Sequence, residues 1–61
     1  MFRVDTPTEV RVFRTKIEIE EFLWHECDMD ELEIGLLTTN LPPKVGEMNH
    51  YNGVCIERVE S

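Results

Sequence analysis

The sequence predicts an α+β domain: a small, mostly antiparallel sheet of three to five strands with one amphipathic helix packed on one face. Three observations carry this. Apolar residues alternate with polar ones in the first fourteen positions. Asn52-Gly53 interrupts a second alternating stretch. Between them, Thr15-Lys16-Ile17-Glu18 opens a segment with helical spacing.

Phe2-Arg3-Val4 and Glu9-Val10-Arg11-Val12-Phe13-Arg14 read as two strands joined through Asp5-Thr6-Pro7-Thr8. Pro7 sets its own φ at a turn value, so residues 2–14 are expected to form a β-hairpin with a four-residue connection, Val10 and Val12 sharing a face. Thr15 and Glu18 fit a capping box, in which hydroxyl and carboxylate each satisfy a free backbone N–H. Ile19, Phe22 and Leu23 then recur at helical intervals, and Glu18, Glu20 and Glu21 sit where the helix dipole favours anions. A helix over about 16–27 is expected. Lys16-Ile17-Glu18-Ile19-Glu20 also alternates, which would instead extend the second strand.

Leu32-Glu33-Ile34-Gly35-Leu36 alternates and Thr38-Thr39 favour extended backbone, so 32–39 reads as a strand. The rival is a short helix opened by the cap-like Asp28-Met29-Asp30-Glu31, against which Gly35 counts about 1 kcal/mol. Leu41-Pro42-Pro43 breaks regular structure. Asn52-Gly53 suits a type I′ turn, since both residues tolerate positive φ. Centring a hairpin there pairs Tyr51 with Val54, His50 with Cys55, Asn49 with Ile56, Met48 with Glu57 and Glu47 with Arg58. The core is expected where Ile19, Phe22 and Leu23 meet Val10, Val12, Ile34, Leu36, Val54 and Ile56.

A chain of 61 residues has room for one domain. Its N-terminus, Met1-Phe2-Arg3-Val4-Asp5, lacks the apolar stretch of a secretion signal, and no apolar run approaches the ~18 residues of a membrane span. A soluble, cytoplasmic protein is expected, with Cys27 and Cys55 reduced.

Chemistry-bearing motifs are sparse. There is no G-x-S-x-G, P-loop or G-x-G-x-x-G pattern, and the single serine is Ser61. A Cys55–His50 dyad falls within the second hairpin, but a domain this small can hardly enclose a catalytic pocket of roughly several hundred Å³. No catalytic residue is assigned and no cofactor is expected. His25, Cys27, His50 and Cys55 together have the composition of a zinc site. Their spacing is not that of known zinc fingers, and His25 and Cys27 point to nearly opposite sides of a helix.

Charge is the most informative property. The net charge is −7, and its distribution is uneven. Residues 17–33 hold eight carboxylates and no lysine or arginine. Phosphate backbones are bound by clustered bases, so nucleic acid is a poor direct ligand and a basic protein surface a better one. Such runs most often serve as solubilising surface. The functional alternative is that Glu18, Glu20, Glu21, Asp28, Asp30, Glu31 and Glu33 face a basic groove, with Trp24 as an apolar anchor. Trp24 is rotated about 100° from Leu23 along the helix, towards the rim, and tryptophan is enriched in binding hot spots.

The expected function is that of a non-enzymatic, acidic protein-binding modulator or inhibitor. It would engage a basic, nucleic-acid-binding surface of a larger protein such as a nuclease or polymerase. In size, acidity and lack of chemical motifs the chain resembles small phage-encoded inhibitors; the resemblance is one of style and transfers no residue. The alternative is a small structural subunit or homo-oligomer stabilised by its partner.

Overall fold

In the computed structural model, which describes residues 1–60, both alternating stretches close into antiparallel hairpins. The first joins β1 (Phe2–Asp5) to β2 (Val10–Phe13); the second joins β3 (Met48–Tyr51) to β4 (Val54–Arg58). Thr6 organises the first turn. Its amide donates to the Glu9 carbonyl at 2.8 Å, and its hydroxyl oxygen accepts from the Glu9 amide at 3.1 Å. In the second turn Asn52 and Gly53 take φ of 51° and 85°, the pair of positive values that a type I′ turn requires. The register is the expected one from Tyr51↔Val54 to Met48↔Glu57. Backbone bonds continue it, the Arg58 amide donating to the Glu47 carbonyl at 3.0 Å. The expected charge match of that last pair takes another form. Arg58 lies over the Phe2 ring, 5.0 Å from its centroid, while the Glu47 carboxylate accepts from the Lys44 amide. The ion pair between strands joins Arg3 and Glu57 instead.

The hairpins meet along their inner strands, β1 pairing with β4, to give one four-stranded antiparallel sheet of order β2-β1-β4-β3. Residues directly opposite one another share a face. Phe2, Val4, Val54 and Ile56 are buried on the inner face, which places their partners Arg11 and Phe13 there too. Val10 and Val12 therefore lie on the outer face, more than half exposed, and not in the expected core. The inner position next to Val4 is taken by Arg11, whose guanidinium rests 5.3 Å from the Phe22 ring centroid. An arginine can cover apolar surface with its stem while its head stays in water. Phe13 completes the contact, its ring 5.2 Å from that of Phe22.

Among the described residues two helices, not one, cover the inner face. The first, α1, spans Lys16–His25, ending two residues earlier than expected. Its capping box is complete, with the Glu18 amide donating to Thr15 Oγ1 at 3.2 Å and the Thr15 amide to Glu18 Oε1 at 3.1 Å. Asp28 turns the chain at φ 53°, a conformation aspartate tolerates better than most residues. The second, α2, spans Glu31–Thr38, where a strand is expected from alternation. Asp30 caps it: Oδ1 accepts from the Glu33 amide at 2.8 Å, and Glu33 Oε1 accepts from the Asp30 amide. Met29 before the cap and Ile34 in the following turn are both buried, the arrangement of a hydrophobic staple. Ile34, Leu37 and Thr38 then face the core at helical spacing, whereas Leu36, expected inside, points outward. Two reciprocal cap bonds and three buried positions outweigh the helix cost of Gly35.

The core is continuous across these elements: Phe2, Val4, Ile19, Phe22, Leu23, Met29, Ile34, Leu37, Val54 and Ile56. No helix among the described residues is long and apolar enough to cross a membrane.

Candidate functional site: an acid-rimmed apolar groove on the helices

The helical segment carries the chain's densest charge, and the caps divide it. Glu18, Asp30 and Glu33 are spent on backbone. Glu18 Oε1 accepts from the amides of Arg14 and Thr15, and Asp30 and Glu33 close the α2 box. Glu33 also accepts from the Asn52 side chain at 3.3 Å, tying α2 to the second hairpin turn. Asp28 sits in the turn between the helices. Glu20, Glu21 and Glu31 remain outside the caps. They converge with Trp24, Ile34 and Gly35 around an open depression between α1 and α2. Among the described residues the only hydrogen bond to the side chain of any of these three is a long one, 3.5 Å from the Thr38 hydroxyl to Glu20.

A second depression continues on the far side of α2, lined by Asp30, Leu32, Leu36 and Asn40 and sharing Glu31 and Gly35 with the first. The two meet over Gly35, where a Cβ would touch nothing within 4 Å. Large apolar side chains stand open along this surface: Trp24 is 53 % exposed, Leu32 75 % and Leu36 60 %. Leu32 and Leu36 lie one turn apart on α2, so they form one ridge. An apolar strip rimmed by polar groups is the usual form of a protein-binding surface. Among the described residues the charged side chains that line the two depressions, Glu20, Glu21, Asp30 and Glu31, are all acidic.

Helical rotation alone places Trp24 away from the core, and the structure has it exposed. A strand over 32–39 does not bring Leu32, Gly35 and Leu36 to this groove; the helix does, and its signal in the sequence is the Asp30-x-x-Glu33 cap.

The structure separates the four residues of the zinc composition. His25 ends α1 beside Arg11 and Glu26. Cys27 packs half-buried against the core, where burial first, then the Glu9 and Glu26 carboxylates, push its thiol pKa up. His50 and Cys55 face each other across β3 and β4 on the outer sheet face. Among the described residues no group of three or more His, Cys, Asp or Glu side chains converges on a point.

Comparison with protein-family models, curated proteins and solved structures found no match to this chain.

Proposed function

We propose that this protein is a non-enzymatic binding module that holds a basic surface of a larger protein against its two helices. The observation that carries the reading is the exposed Trp24–Leu32–Leu36 strip set within the Glu20, Glu21 and Glu31 rim. Each half supports a different part of the association. The carboxylates supply long-range attraction and orient an approaching cationic surface, chiefly raising the on-rate. The apolar side chains supply desolvated contact, which governs residence. Gly35 supports the same reading. It costs the helix about 1 kcal/mol relative to alanine, and no neighbour within the chain needs its missing side chain. A partner's close approach at that point would. A nucleic-acid-binding surface, rich in lysine and arginine, fits the charge; a nuclease or polymerase would present one.

The test is affinity capture from lysate with three baits: the wild-type chain, a Glu20→Gln/Glu21→Gln/Glu31→Gln variant, and Trp24→Ala. All four substitutions avoid the caps and the core. Proteins held by the wild type should be released by salt and lost with the neutralised bait, because a screened or missing rim removes the attraction. Equal capture by wild-type and neutralised baits, or capture insensitive to salt, refutes the reading.

A second reading draws on the outer sheet face, which no helix covers and where Val10, Val12 and Met48 are exposed. A structural subunit would bury that face against its partner or a second copy. It would then melt at a temperature that rises with protein concentration.

A further inference from the structure

The outer face of the sheet is organised in two rows, read directly from the strand registers: Val12–Arg3–Glu57–Met48 and Val10–Asp5–Cys55–His50. Three of these side chains, Met48, His50 and Cys55, are soft or borderline metal donors and lie together at the β3–β4 end. Tyr51↔Val54 closes the two-residue turn, so it is a hydrogen-bonded pair and His50↔Cys55 is the next, non-hydrogen-bonded one. Side chains approach most closely at such positions, with Cβ atoms roughly 4.5–5.5 Å apart. Met48, two residues before His50 on the same strand, shares its face. Its Sδ lies 3.6 Å from Cys55 Sγ.

We propose that Met48, His50 and Cys55 form a surface site for a single Cu(I) ion. The sulfur separation fits one metal bound by both atoms. With metal–sulfur bonds of about 2.3 Å, sulfurs at that distance subtend about 103° at the ion, close to a tetrahedral angle. Thioether and thiolate ligands select Cu(I) over harder divalent ions, and imidazole accepts copper as well. Asp5 stands beside Cys55 and favours a cation there, while Arg3 and Glu57 offset each other as an ion pair. Binding replaces the Cys55 thiol proton with the metal and releases that proton to solvent; no electron moves, since copper arrives and leaves as Cu(I). Cys27, on the helix side of the sheet and packed against the core, belongs to no such group. The site shares no residue with the helical groove and stands independently of it.

The test is an anaerobic titration of the reduced chain with Cu(I), in competition with a chromogenic Cu(I) chelator. Alongside it, the methionine methyl groups are followed by carbon NMR as Ag(I), a redox-inert stand-in, is added. The expected result is one ion per chain, retained by Cys27→Ser, lost with Cys55→Ser, and weakened at least about tenfold by Met48→Leu and by His50→Ala. Of the three methionines, only the Met48 methyl should shift. All substitutions except Cys27→Ser lie on the outer sheet face, and circular dichroism of each variant checks that the fold is kept. Failure to withhold Cu(I) from the chelator overturns the proposal. So does an unmoved Met48 methyl, undiminished binding by Met48→Leu or His50→Ala, or an ion shared by two chains through Cys55.

Discussion

Replacing Gly35 with alanine should raise stability and weaken partner binding at once. Gly35 lies inside α2, and among the described residues an added Cβ meets no atom within 4 Å beyond its chain neighbours and the helix's own backbone, so the substitution brings no packing penalty. The helix gains the full difference in propensity, about 0.8–1.0 kcal/mol, part of it by restricting the unfolded chain. In a domain of this size 1 kcal/mol corresponds to roughly 4–8 °C in melting temperature, so a rise of about 5 °C is expected. Thermal unfolding followed by circular dichroism reads it, and urea titration should show a higher midpoint with an unchanged slope. The new methyl stands where the two depressions meet, so the same variant should release a wild-type partner more readily. An unchanged or lowered melting temperature would refute the claim that this position is free of intramolecular constraint. Higher stability with undiminished binding would leave the helix argument standing and remove Gly35 from the interface.

Other outcomes follow from the same structure. Thr15→Ala removes the acceptor for the Glu18 amide and should cost about 1 kcal/mol, a fall of roughly 4–8 °C in melting temperature. Ile56→Ala opens a cavity at a fully buried site between sheet and helices and should cost about 2–5 kcal/mol. A chain of this length has about 3–9 kcal/mol to lose, so partial unfolding at room temperature is expected by circular dichroism. The Cys27 pKa is raised in the fold by burial and by Glu9 and Glu26. The folded state therefore favours the neutral thiol: stability is intact below the ordinary thiol pKa and declines as pH rises through the elevated one. Urea midpoints measured across that alkaline range should fall more steeply for the wild type than for Cys27→Ala. Trp24, half exposed, should be quenched readily by acrylamide in the free protein and protected once a partner covers the groove.

How far the sequence disclosed this molecule depended on how local each determinant was. Asn52-Gly53 fixed a hairpin and its register because positive φ at two adjacent residues selects one turn. Thr15 and Glu18 located the start of α1 because the capping box is complete within four residues. Residues 31–38 were misread because alternation in Leu32-Glu33-Ile34-Gly35-Leu36 satisfies strand and helix patterns alike; the decision came from the Asp30–Glu33 cap and from Leu37 and Thr38 packing inward. The face of β2 was inverted for a different reason. Val10 and Val12 are the apolar pair, yet Phe13 and the guanidinium of Arg11 meet Phe22, a choice made by tertiary contact. At the groove, Trp24 followed from helical rotation. The capping box assigned Glu18 to backbone, but the acidic run gave no hint that Asp30 and Glu33 would follow it, leaving Glu20, Glu21 and Glu31 beside the tryptophan.

The pairing of β1 with β4 sets Phe2 opposite Arg58, so the middle seam of the sheet is also its longest-range connection. Each hairpin forms from neighbours in the chain, but neither half of the sheet has a second layer of pairing until nearly the whole sequence has been brought together. Closing so long a loop carries its entropic cost before the core repays it, which favours all-or-none folding and leaves little tolerance for trimming at the first strand. The same adjacency suits circular permutation. A short linker from Glu60 to Met1 would bridge neighbouring strand ends, and new ends opened near Pro42-Pro43 would convert that distant seam into a local one and speed folding.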